Sequence, residues 1–345
     1  MLLRIQDLKT YFQTPAGVVR AVDGVALELP AGHTLALVGE SGCGKSVTAL
    51  SILGLVPPPG RIVGGRILFQ ERDLLRLAEP ELRALRGNRI AMIFQEPMSC
   101  LNPLLTIGEQ VDEVLRLHRG LSARAARART IELLRRVGLP AAEQRCRDYP
   151  HQLSGGMRQR VMIATALACG PELLIADEPT TALDVTVQAQ ILALLRDLRR
   201  QTGLALLFIT HDLGVVAQIA DTVAVMYAGR IVEQAPVKQL FADSRHPYTR
   251  GLLRSLPRVG ARAAARRLPV IPGDVPSPTS RPSGCAFHPR CDMGRDDPRC
   301  RADTPSLLPV ASDHACACWK APGYPGDAAG SRIVGPATTA YNAGP

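Results

Sequence analysis

The sequence predicts an α/β fold with a parallel core, because short apolar runs alternate with helical segments along the chain. Three of these runs, at residues 33–38, 173–176 and 205–210, have the length and composition of buried strands. The first leads directly into a glycine-rich loop, and a helical segment at 46–55 follows that loop. This strand–loop–helix order is the context in which such a loop binds phosphate.

Two further segments flank the core strands. Residues 1–29 alternate apolar and polar side chains and predict strands joined by a turn at 14–17. From about residue 102 to 138 the pattern is helical, which predicts a separate helical subdomain between the glycine-rich loop and the later core strands. Within it we expect an N-cap at Ser122, a C-cap at Gly138 and inward-facing side chains at Ile131, Leu134 and Val137.

The bulk composition excludes some classes of protein. No apolar run approaches the roughly 20 residues of a membrane helix, and charges near the N-terminus leave no apolar core for a signal peptide, so export is not expected. The net charge is +10, but the arginines are scattered and aromatic residues make up only 4%. No surface for stacking bases is evident, so nucleic acid is not an expected partner.

The glycine-rich loop at residues 39–46 reads GESGCGKS and is a P-loop. Its glycines allow successive backbone N–H groups to point at phosphates, in front of a helix N-terminus. Lys45 is predicted to reach the β- and γ-phosphates of ATP, and Ser46 to bind Mg²⁺. The predicted nucleotide-binding residues of the loop are Gly39, Glu40, Ser41, Gly42, Cys43, Gly44, Lys45 and Ser46.

The second part of the predicted site is a strand that ends in two carboxylates, Asp177 and Glu178. Asp177 is predicted to hold Mg²⁺, partly through water, and Glu178 to act as general base on the attacking water. Taken alone, the two residues would equally suit an acidic strand end that caps the next helix. The stretch PTTALD at 179–184, directly after them, favours the catalytic interpretation.

A peptide at residues 153–160, LSGGMRQR, resembles the signature of the ATP-binding-cassette (ABC) ATPases. With the P-loop and the paired carboxylates, the motifs occur in the order that this family has. The resemblance implies an ABC ATPase core with an antiparallel β subdomain and an inserted α-helical subdomain. It also implies a dimer, because the signature of one cassette closes on the ATP held by its partner.

The same resemblance implies roles for residues outside the P-loop. Phe12, or its neighbour Tyr11, matches the aromatic residue that stacks on adenine. Gln95 matches the glutamine that contacts Mg²⁺ and the attacking water, and His211 the histidine that senses the γ-phosphate. The residues matched to the signature and to the loop that crosses the dimer interface are Ser154, Gly155, Gly156, Gln159 and Asp184.

Within this family the chain is most similar to the ATP-binding subunits of oligopeptide and dipeptide importers. The similarity lies at residues 46–48, 92–103, 246–253, 271–278 and 284–291. It predicts the following division of the chain: an ABC ATPase domain at 1–243 with a helical subdomain at about 96–160, an importer-type extension at 244–320, and a tail at 321–345 whose composition predicts disorder.

The importer resemblance also implies partners and a location. We expect a second ATPase subunit, identical or not, two transmembrane permeases and an extracytoplasmic peptide-binding protein. The chain would lie at the cytoplasmic face of the membrane as a peripheral subunit, with its helical subdomain receiving a permease helix. A nickel or other small-solute importer remains an alternative, as does a soluble ABC ATPase that is not a transporter.

Cysteines are concentrated in the predicted extension. Cys285, Cys291, Cys300 and Cys316 are separated by five, eight and fifteen residues, with Cys318 just beyond. They lack the C-x₂-C knuckle that zinc ribbons favour, and four thiolates suit an iron–sulfur cluster at least as well. The resemblance favours a [4Fe-4S] cluster, with Zn²⁺ or free thiols as the alternatives and His288 and His314 as substitute ligands.

Overall fold

The computed structural model describes residues 1–95, 100–181, 183–256 and 269–325. Its strands are β1 (Leu3–Thr14), β2 (Gly17–Leu29), β3 (Thr34–Val38), β4 (Gly60–Phe69), β5 (Arg72–Asp73), β6 (Ile90–Ile93), β7 (Leu173–Asp177), β8 (Ala205–Thr210), β9 (Thr222–Tyr227), β10 (Arg230–Pro236), β11 (Leu308–Ala311) and β12 (His314–Cys316). Its α-helices are α1 (Lys45–Ile52), α2 (Glu79–Leu85), α3 (Ile107–Arg119), α4 (Ala123–Arg136), α5 (Ala142–Arg145), α6 (Gly155–Leu167), α7 (Val185–Thr202), α8 (Leu213–Ile219), α9 (Val237–Ala242), α10 (Pro247–Arg254) and α11 (Pro298–Ala302).

The strands form two sheets. The smaller sheet has the order β2-β1-β4-β5 and is antiparallel, as the resemblance implied. The larger sheet has the order β11-β12-β10-β9-β3-β8-β7-β6. In it β6, β7, β8, β3 and β9 are parallel. The predicted α/β class is therefore confirmed, and the three apolar runs named from the sequence are the central strands β3, β7 and β8.

The central strands are buried along their whole length, which explains their continuous apolar composition. Helices cover the sheet, since a parallel strand pair requires a crossover connection. Because the carboxyl ends of parallel strands lie at one edge, the segments that follow β3, β7 and β8 come together there. This edge carries the P-loop, the paired carboxylates and His211.

The helical segment between P-loop and signature contains α3, α4 and α5, followed by α6. Ser122 caps α4 by accepting a hydrogen bond from the backbone N–H of Ala125, and Gly138 adopts a left-handed φ of +76° just after the helix. Leu134 and Val137 are fully buried and Ile131 packs against them. The predicted N-cap and apolar face are confirmed, whereas the C-cap is Val137 and Gly138 is the residue after it. The predicted start of the subdomain at residue 96 lies outside the described residues.

The C-terminal segment is built into the cassette, which the sequence did not predict. Strand β12 pairs antiparallel with β10 and with β11, so two strands of the extension enlarge the core sheet. Tyr227 of β9, Tyr248 of α10 and Phe287 form one aromatic cluster, with ring centroids 4.6–5.5 Å apart. The extension therefore shares a hydrophobic core with the ATPase domain.

The end of the chain was predicted to be disordered from residue 321. In the described part, Tyr324 packs against Trp319 and donates a hydrogen bond to the carbonyl of Ser306. Residues 326–345 lie outside the described residues, as do 257–268 of the extension. Among the helices of the described ranges, none is long and apolar enough to cross a membrane.

The junction of core and extension contains a buried histidine that makes the stability pH-dependent. His246 is the N-cap of α10, and its Nδ1 accepts a hydrogen bond from the N–H of Tyr248. Burial lowers the pKa of His246 from 6.5 to about 4. Between these two values the unfolded chain takes up a proton that the folded chain refuses, so stability is lost as the pH falls.

We therefore predict that His246→Asn flattens the acid side of the stability profile. Asparagine is a good N-cap and does not titrate. Urea unfolding of the full chain from pH 7.5 to 4.5, followed by circular dichroism, should show the wild-type free energy of unfolding falling more steeply below pH 6.5. The difference should grow toward a few kcal/mol, on the order of 1.4 kcal/mol per pH unit. Parallel profiles would contradict the assignment.

Candidate functional site

The P-loop follows a path that only glycine permits at its two ends. Gly39 has φ +158° and Gly44 φ +106°, both in the range that L side chains rarely adopt. A Cβ on Gly39 would lie 2.2 Å from the carbonyl oxygen of Met226, and one on Gly44 would lie 2.2 Å from that of Ala21. The loop thus packs closely against β9 and β2, and this packing restricts its backbone conformation at both glycines.

Lys45 begins α1 directly after the loop and is 5% exposed. Its ammonium group donates to the carbonyl oxygens of Gly39 at 2.8 Å and Glu40 at 3.1 Å. The cation is therefore held inside the loop, above its own backbone. A buried ammonium placed there supplies the positive charge that a phosphate group would need.

Asp177 ends β7 beside the start of α1. Its carboxylate shares a hydrogen bond with Ser46, while burial raises its pKa. The atom Oδ1 of Asp177 is buried and has no hydrogen-bond partner. A buried carboxylate oxygen without a partner, next to a serine hydroxyl, fits a hard cation such as Mg²⁺, which prefers oxygen ligands.

Glu178 is the centre of a polar cluster at the same sheet edge. Nδ1 of His211 lies 3.1 Å from Oε1 of Glu178. Its Oε2 accepts hydrogen bonds from the amide of Gln95 at 3.3 Å and from the hydroxyl of Thr181 at 2.9 Å. The structure thus brings together the three residues predicted to be catalytic, Gln95, Glu178 and His211. Thr181 was not among the predicted site residues.

The surroundings of Glu178 keep it ionised. Burial acts to raise its pKa, but the hydrogen bonds from His211 and Thr181 outweigh burial and leave the pKa below its usual value. The backbone of Glu178 has a φ of +47°, an uncommon conformation for a residue with a side chain. Non-glycine residues held in this way are concentrated at functional sites, and this one directs a carboxylate toward the P-loop edge.

The two aromatic candidates for adenine stacking have different surroundings. The ring of Phe12 packs close to Gly60 and Val56; a Cβ on Gly60 would approach the ring to 2.5 Å. Tyr11 donates its hydroxyl hydrogen to Oδ1 of Asp23 at 2.6 Å. The hydrogen bond to Asp23 thus holds the ring of Tyr11 in place. The assignment of Phe12 as the residue that stacks on adenine remains a prediction.

The residues matched to the signature form a second group, at the start of α6. Ser154 is the N-cap of this helix and is exposed. Gly156 lies so close to Val187 of α7 that a Cβ would come within 2.9 Å of it. Gln159 is buried, and its Nε2 has no hydrogen-bond partner. Asp184 caps α7 by accepting from the N–H of Val187 at 2.8 Å, so this residue has a structural role as well.

The predicted metal at the cysteines is not supported. Within the described residues, no three His, Cys, Asp or Glu side chains are arranged to hold a metal ion. Cys316 is opposite Glu233 in the β10–β12 pair, and burial together with that carboxylate raises its pKa. Burial likewise raises the pKa of the thiols at Cys285, Cys291 and Cys300.

The fifth cysteine of the segment also differs from the prediction. Burial raises the pKa of Cys318 to about 12, and the nearby thiols of Cys285, Cys291 and Cys300 contribute to this shift. Cys316 and Cys318 both belong to a small apolar cluster with Val310 and Ala321. The spacing alone could not show that Cys318, which follows β12, lies near the thiols of Cys285, Cys291 and Cys300, because that depends on how the extension folds.

Two contacts to the P-loop come from the extension, and the sequence carried no signal for them. The backbone N–H of Glu40 donates to the hydroxyl of Tyr248 at 2.9 Å. The carboxylate of Glu40 accepts two hydrogen bonds from Arg290, at 2.7 Å to Oε2 and 3.0 Å to Oε1. Partners 250 residues apart cannot be paired from charge alone.

Comparisons with known proteins agree with this geometry. Residues 22–181 match the family model of the ABC transporter, and residues 232–300 match that of the oligopeptide/dipeptide transporter C-terminal region. A Sinorhizobium fredii protein named as a probable peptide ABC transporter ATP-binding protein is 53% identical over 93% of this chain and 95% of its own. An oligopeptide transport ATP-binding protein of Bacillus subtilis is 51% identical over 92% of this chain and 96% of its own.

Solved structures show the same fold. The dimer of an ATP-binding cassette in a post-hydrolysis state, bound to ADP and phosphate, covers 68% of this chain and 99% of its own, with a TM-score of 0.63 and 29% identity. Fold, motif order and similarity together define an ATPase of the ABC class. Within that class, the chain belongs to the ATP-binding subunits of the oligopeptide and dipeptide transporter family.

Lys45 and Glu178 should separate nucleotide binding from hydrolysis. Lys45→Ala should abolish ATP binding, because it removes the buried cation of the loop. Glu178→Gln should retain binding and lose about a hundredfold or more in turnover, as expected when a general base is removed. Binding of a fluorescent ATP analogue and release of phosphate measure the two steps.

The matched control is Glu172→Gln, the same substitution just before β7, where Glu172 pairs with Arg89 on the protein surface. This variant should hydrolyse ATP at nearly the wild-type rate. Hydrolysis by Glu178→Gln at the rate of the control would show that Glu178 is not the general base.

Proposed function

We propose that the chain powers the uptake of peptides as the ATP-hydrolysing subunit of a membrane importer. The observation that carries the proposal is the match of residues 232–300 to the C-terminal region of oligopeptide/dipeptide transporters. The catalytic motifs alone would suit any ABC ATPase. A dipeptide transport ATP-binding protein of Bacillus subtilis, 50% identical over 92% of the chain, supports the same substrate class.

The residues of the P-loop edge would hold Mg–ATP. Lys45 and the loop N–H groups would bind the phosphates, and Phe12 would stack on adenine. Ser46 and Asp177 would hold Mg²⁺, with Gln95 beside it. When bound, the metal neutralises charge on the phosphate oxygens. The unpartnered Oδ1 of Asp177 supports this assignment, because it is a buried acceptor with no donor in the protein.

Glu178 would polarise the attacking water. Its lowered pKa keeps it ionised near neutral pH, which is the form that accepts a proton. Thr181 and Gln95 hold one carboxylate oxygen and His211 the other. We assign His211 to contact with the γ-phosphate, for which its exposed ring is available: the side chain is 59% exposed.

Two cassettes would be needed for a complete site. Ser154, Gly155, Gly156 and Gln159 would contact ATP held by a second ATPase subunit, and Asp184 would lie in the loop between the two. The dimeric cassette that matches this fold supports the arrangement. So does the exposure of Ser154 and Gly155 at the start of α6, which leaves that helix end accessible to a partner.

The remaining partners follow from the transporter family. We propose two transmembrane permeases, an extracytoplasmic peptide-binding protein and a position at the cytoplasmic face of the membrane. The units of the chain would be the ATPase domain at 1–243, with its helical subdomain at about 96–160 toward the permeases, and the extension at 244–320. The tail at 321–345 is assigned no role.

Peptide import can be tested against the nearest alternative, an importer of nickel or another small solute. Deleting the gene in its cell of origin should abolish uptake of radiolabelled di- or oligopeptides, and the wild-type chain should restore it. Glu178→Gln should not restore it, because the permeases would stay without ATP turnover, whereas the control Glu172→Gln should. Purification from solubilised membranes should yield two permease subunits.

The outcomes distinguish the candidates. If the deletion abolished nickel uptake and left peptide uptake normal, the chain would still be an importer subunit, but its substrate would be nickel. Normal uptake of both, with the chain recovered free of membrane proteins, would favour the soluble ABC ATPase. Failure of Glu172→Gln to restore uptake would indicate that the glutamine substitutions act on stability, which thermal unfolding of both variants would show.

A further inference from the structure

The extension holds Glu40 of the P-loop through hydrogen bonds to its backbone and to its side chain. Tyr248 accepts a hydrogen bond from the backbone N–H of Glu40, and Arg290 binds its carboxylate through both terminal nitrogens. Lys45 donates to the carbonyl oxygen of Glu40 from the other side. The same carbonyl oxygen also accepts a hydrogen bond from the backbone N–H of Cys43 at 3.3 Å. Each polar group of Glu40 is therefore held, and the partners of its N–H and of its carboxylate come from outside the predicted ATPase domain.

Arg290 is itself fixed by its surroundings. Its side chain is 5% exposed, and its Nε donates to the carbonyl oxygen of Pro272 at 3.1 Å. The guanidinium group lies 5.9 Å from the ring centroid of Tyr227 and 6.0 Å from that of Phe287. A buried guanidinium with a bidentate carboxylate partner has little freedom to leave it. The position of Glu40 is thus set by the extension.

The charge of Glu40 matters because of where it lies. Its carboxylate belongs to the loop that would bind a triphosphate, five residues before Lys45. Left unpaired, it would oppose the entry of a polyanion, and the opposition would be strong in a partly buried site. Arg290 neutralises that charge from outside the loop. Its hydrogen bonds to the P-loop go to the side chain of Glu40 and not to the loop carbonyls to which Lys45 donates.

We propose that Arg290 is a positioning residue of the nucleotide site, which orients Glu40 and neutralises it so that the P-loop can accept ATP. The inference rests on ATP binding by this same loop and extends it to a residue that no nucleotide motif contains. Arg290 acts through Glu40 and needs no contact with ATP. The extension is then part of the ATPase machinery in addition to any role in the transporter.

A second arginine of the extension, Arg281, also binds a residue next to the nucleotide site. Arg281 donates to Oδ2 of Asp23 at 2.8 Å, and Asp23 is also the acceptor for Tyr11. Asp23 lies on β2, which faces the loop at Gly44. Between this contact and the loop, a cavity of about 250 Å³ is lined by Ser41 and by extension residues 275–278. Residues of the extension thus lie beside the loop at Ser41 as well as at Glu40.

The proposal predicts a split between affinity and turnover. Arg290→Met keeps the length of the side chain and removes its charge, so the Kd and the KM for ATP should rise about tenfold while kcat changes less than twofold. Interactions made equally in the ground and transition states affect KM in this way. The measurements are titration with a fluorescent ATP analogue and steady-state phosphate release, on the full chain.

A second substitution tests whether Arg290 acts by neutralising Glu40 or only by stabilising the extension. Glu40→Gln removes the carboxylate that Arg290→Met leaves unpaired, so the double variant should recover ATP affinity to within about threefold of wild type. Arg290→Lys keeps the charge and loses the bidentate geometry, and should show an intermediate affinity. The control is Arg301→Met, which breaks an exposed pair with Asp296 in the same extension and should bind ATP as wild type does.

Three results would overturn the proposal. The first is that Arg290→Met binds ATP with wild-type affinity. The second is that the double variant binds ATP no more tightly than Arg290→Met, which would mean that the arginine only holds the extension in place. The third applies if Arg290→Met does not fold, and it is that Arg290→Lys binds ATP with wild-type affinity. By contrast, a wild-type chain that failed to bind Mg–ATP would contradict the ATPase assignment itself.

Discussion

The close approach of the P-loop to its neighbouring strands is the constraint on which the site depends. At Gly39 and Gly44 the loop backbone lies against the carbonyl groups of β9 and β2, with no room for a Cβ. The loop therefore has one path, and that path places Lys45 at the beginning of α1 with its ammonium group inside the loop. Because β9 lies next to β3 in the sheet, the order of the core strands and the shape of the phosphate site are determined together.

The chemistry depends on the edge at which the central strands end. Strands β3, β7 and β8 are neighbours and run in the same direction. Each of them leads into a polar segment: the P-loop after β3, the pair Asp177–Glu178 at the end of β7, and His211 after β8. The left-handed backbone at Glu178 turns its carboxylate toward His211, Gln95 and Thr181. A parallel sheet thus brings together the residues predicted to be catalytic from segments that are far apart in sequence.

The extension is part of the same folding unit as the cassette. Glu233 of β10 accepts hydrogen bonds from the backbone N–H groups of Arg245 and His246, and from His314 of β12 at 2.8 Å. The carboxyl group is fully buried, so breaking this network would leave a buried polar group without hydrogen-bond partners, which is far more costly than losing an exposed hydrogen bond. Arg290 and Tyr248 then connect this region to the P-loop. Changes in the extension are therefore expected to reach the nucleotide site through packed, polar contacts.

The sequence by itself determined the α/β class, the three central strands, the N-cap of α4, the P-loop and the pair of carboxylates at the end of β7. These features depend on local patterns: an apolar run of strand length, a glycine spacing, two carboxylates at a strand end. Only the tertiary structure decided that β11 and β12 join the core sheet, that Cys318 lies near the thiols of Cys285, Cys291 and Cys300, and that Arg290 pairs with Glu40. A strand edge, a thiol or an arginine has many possible partners along the chain, and the choice among them is made by packing and register, which no local pattern encodes.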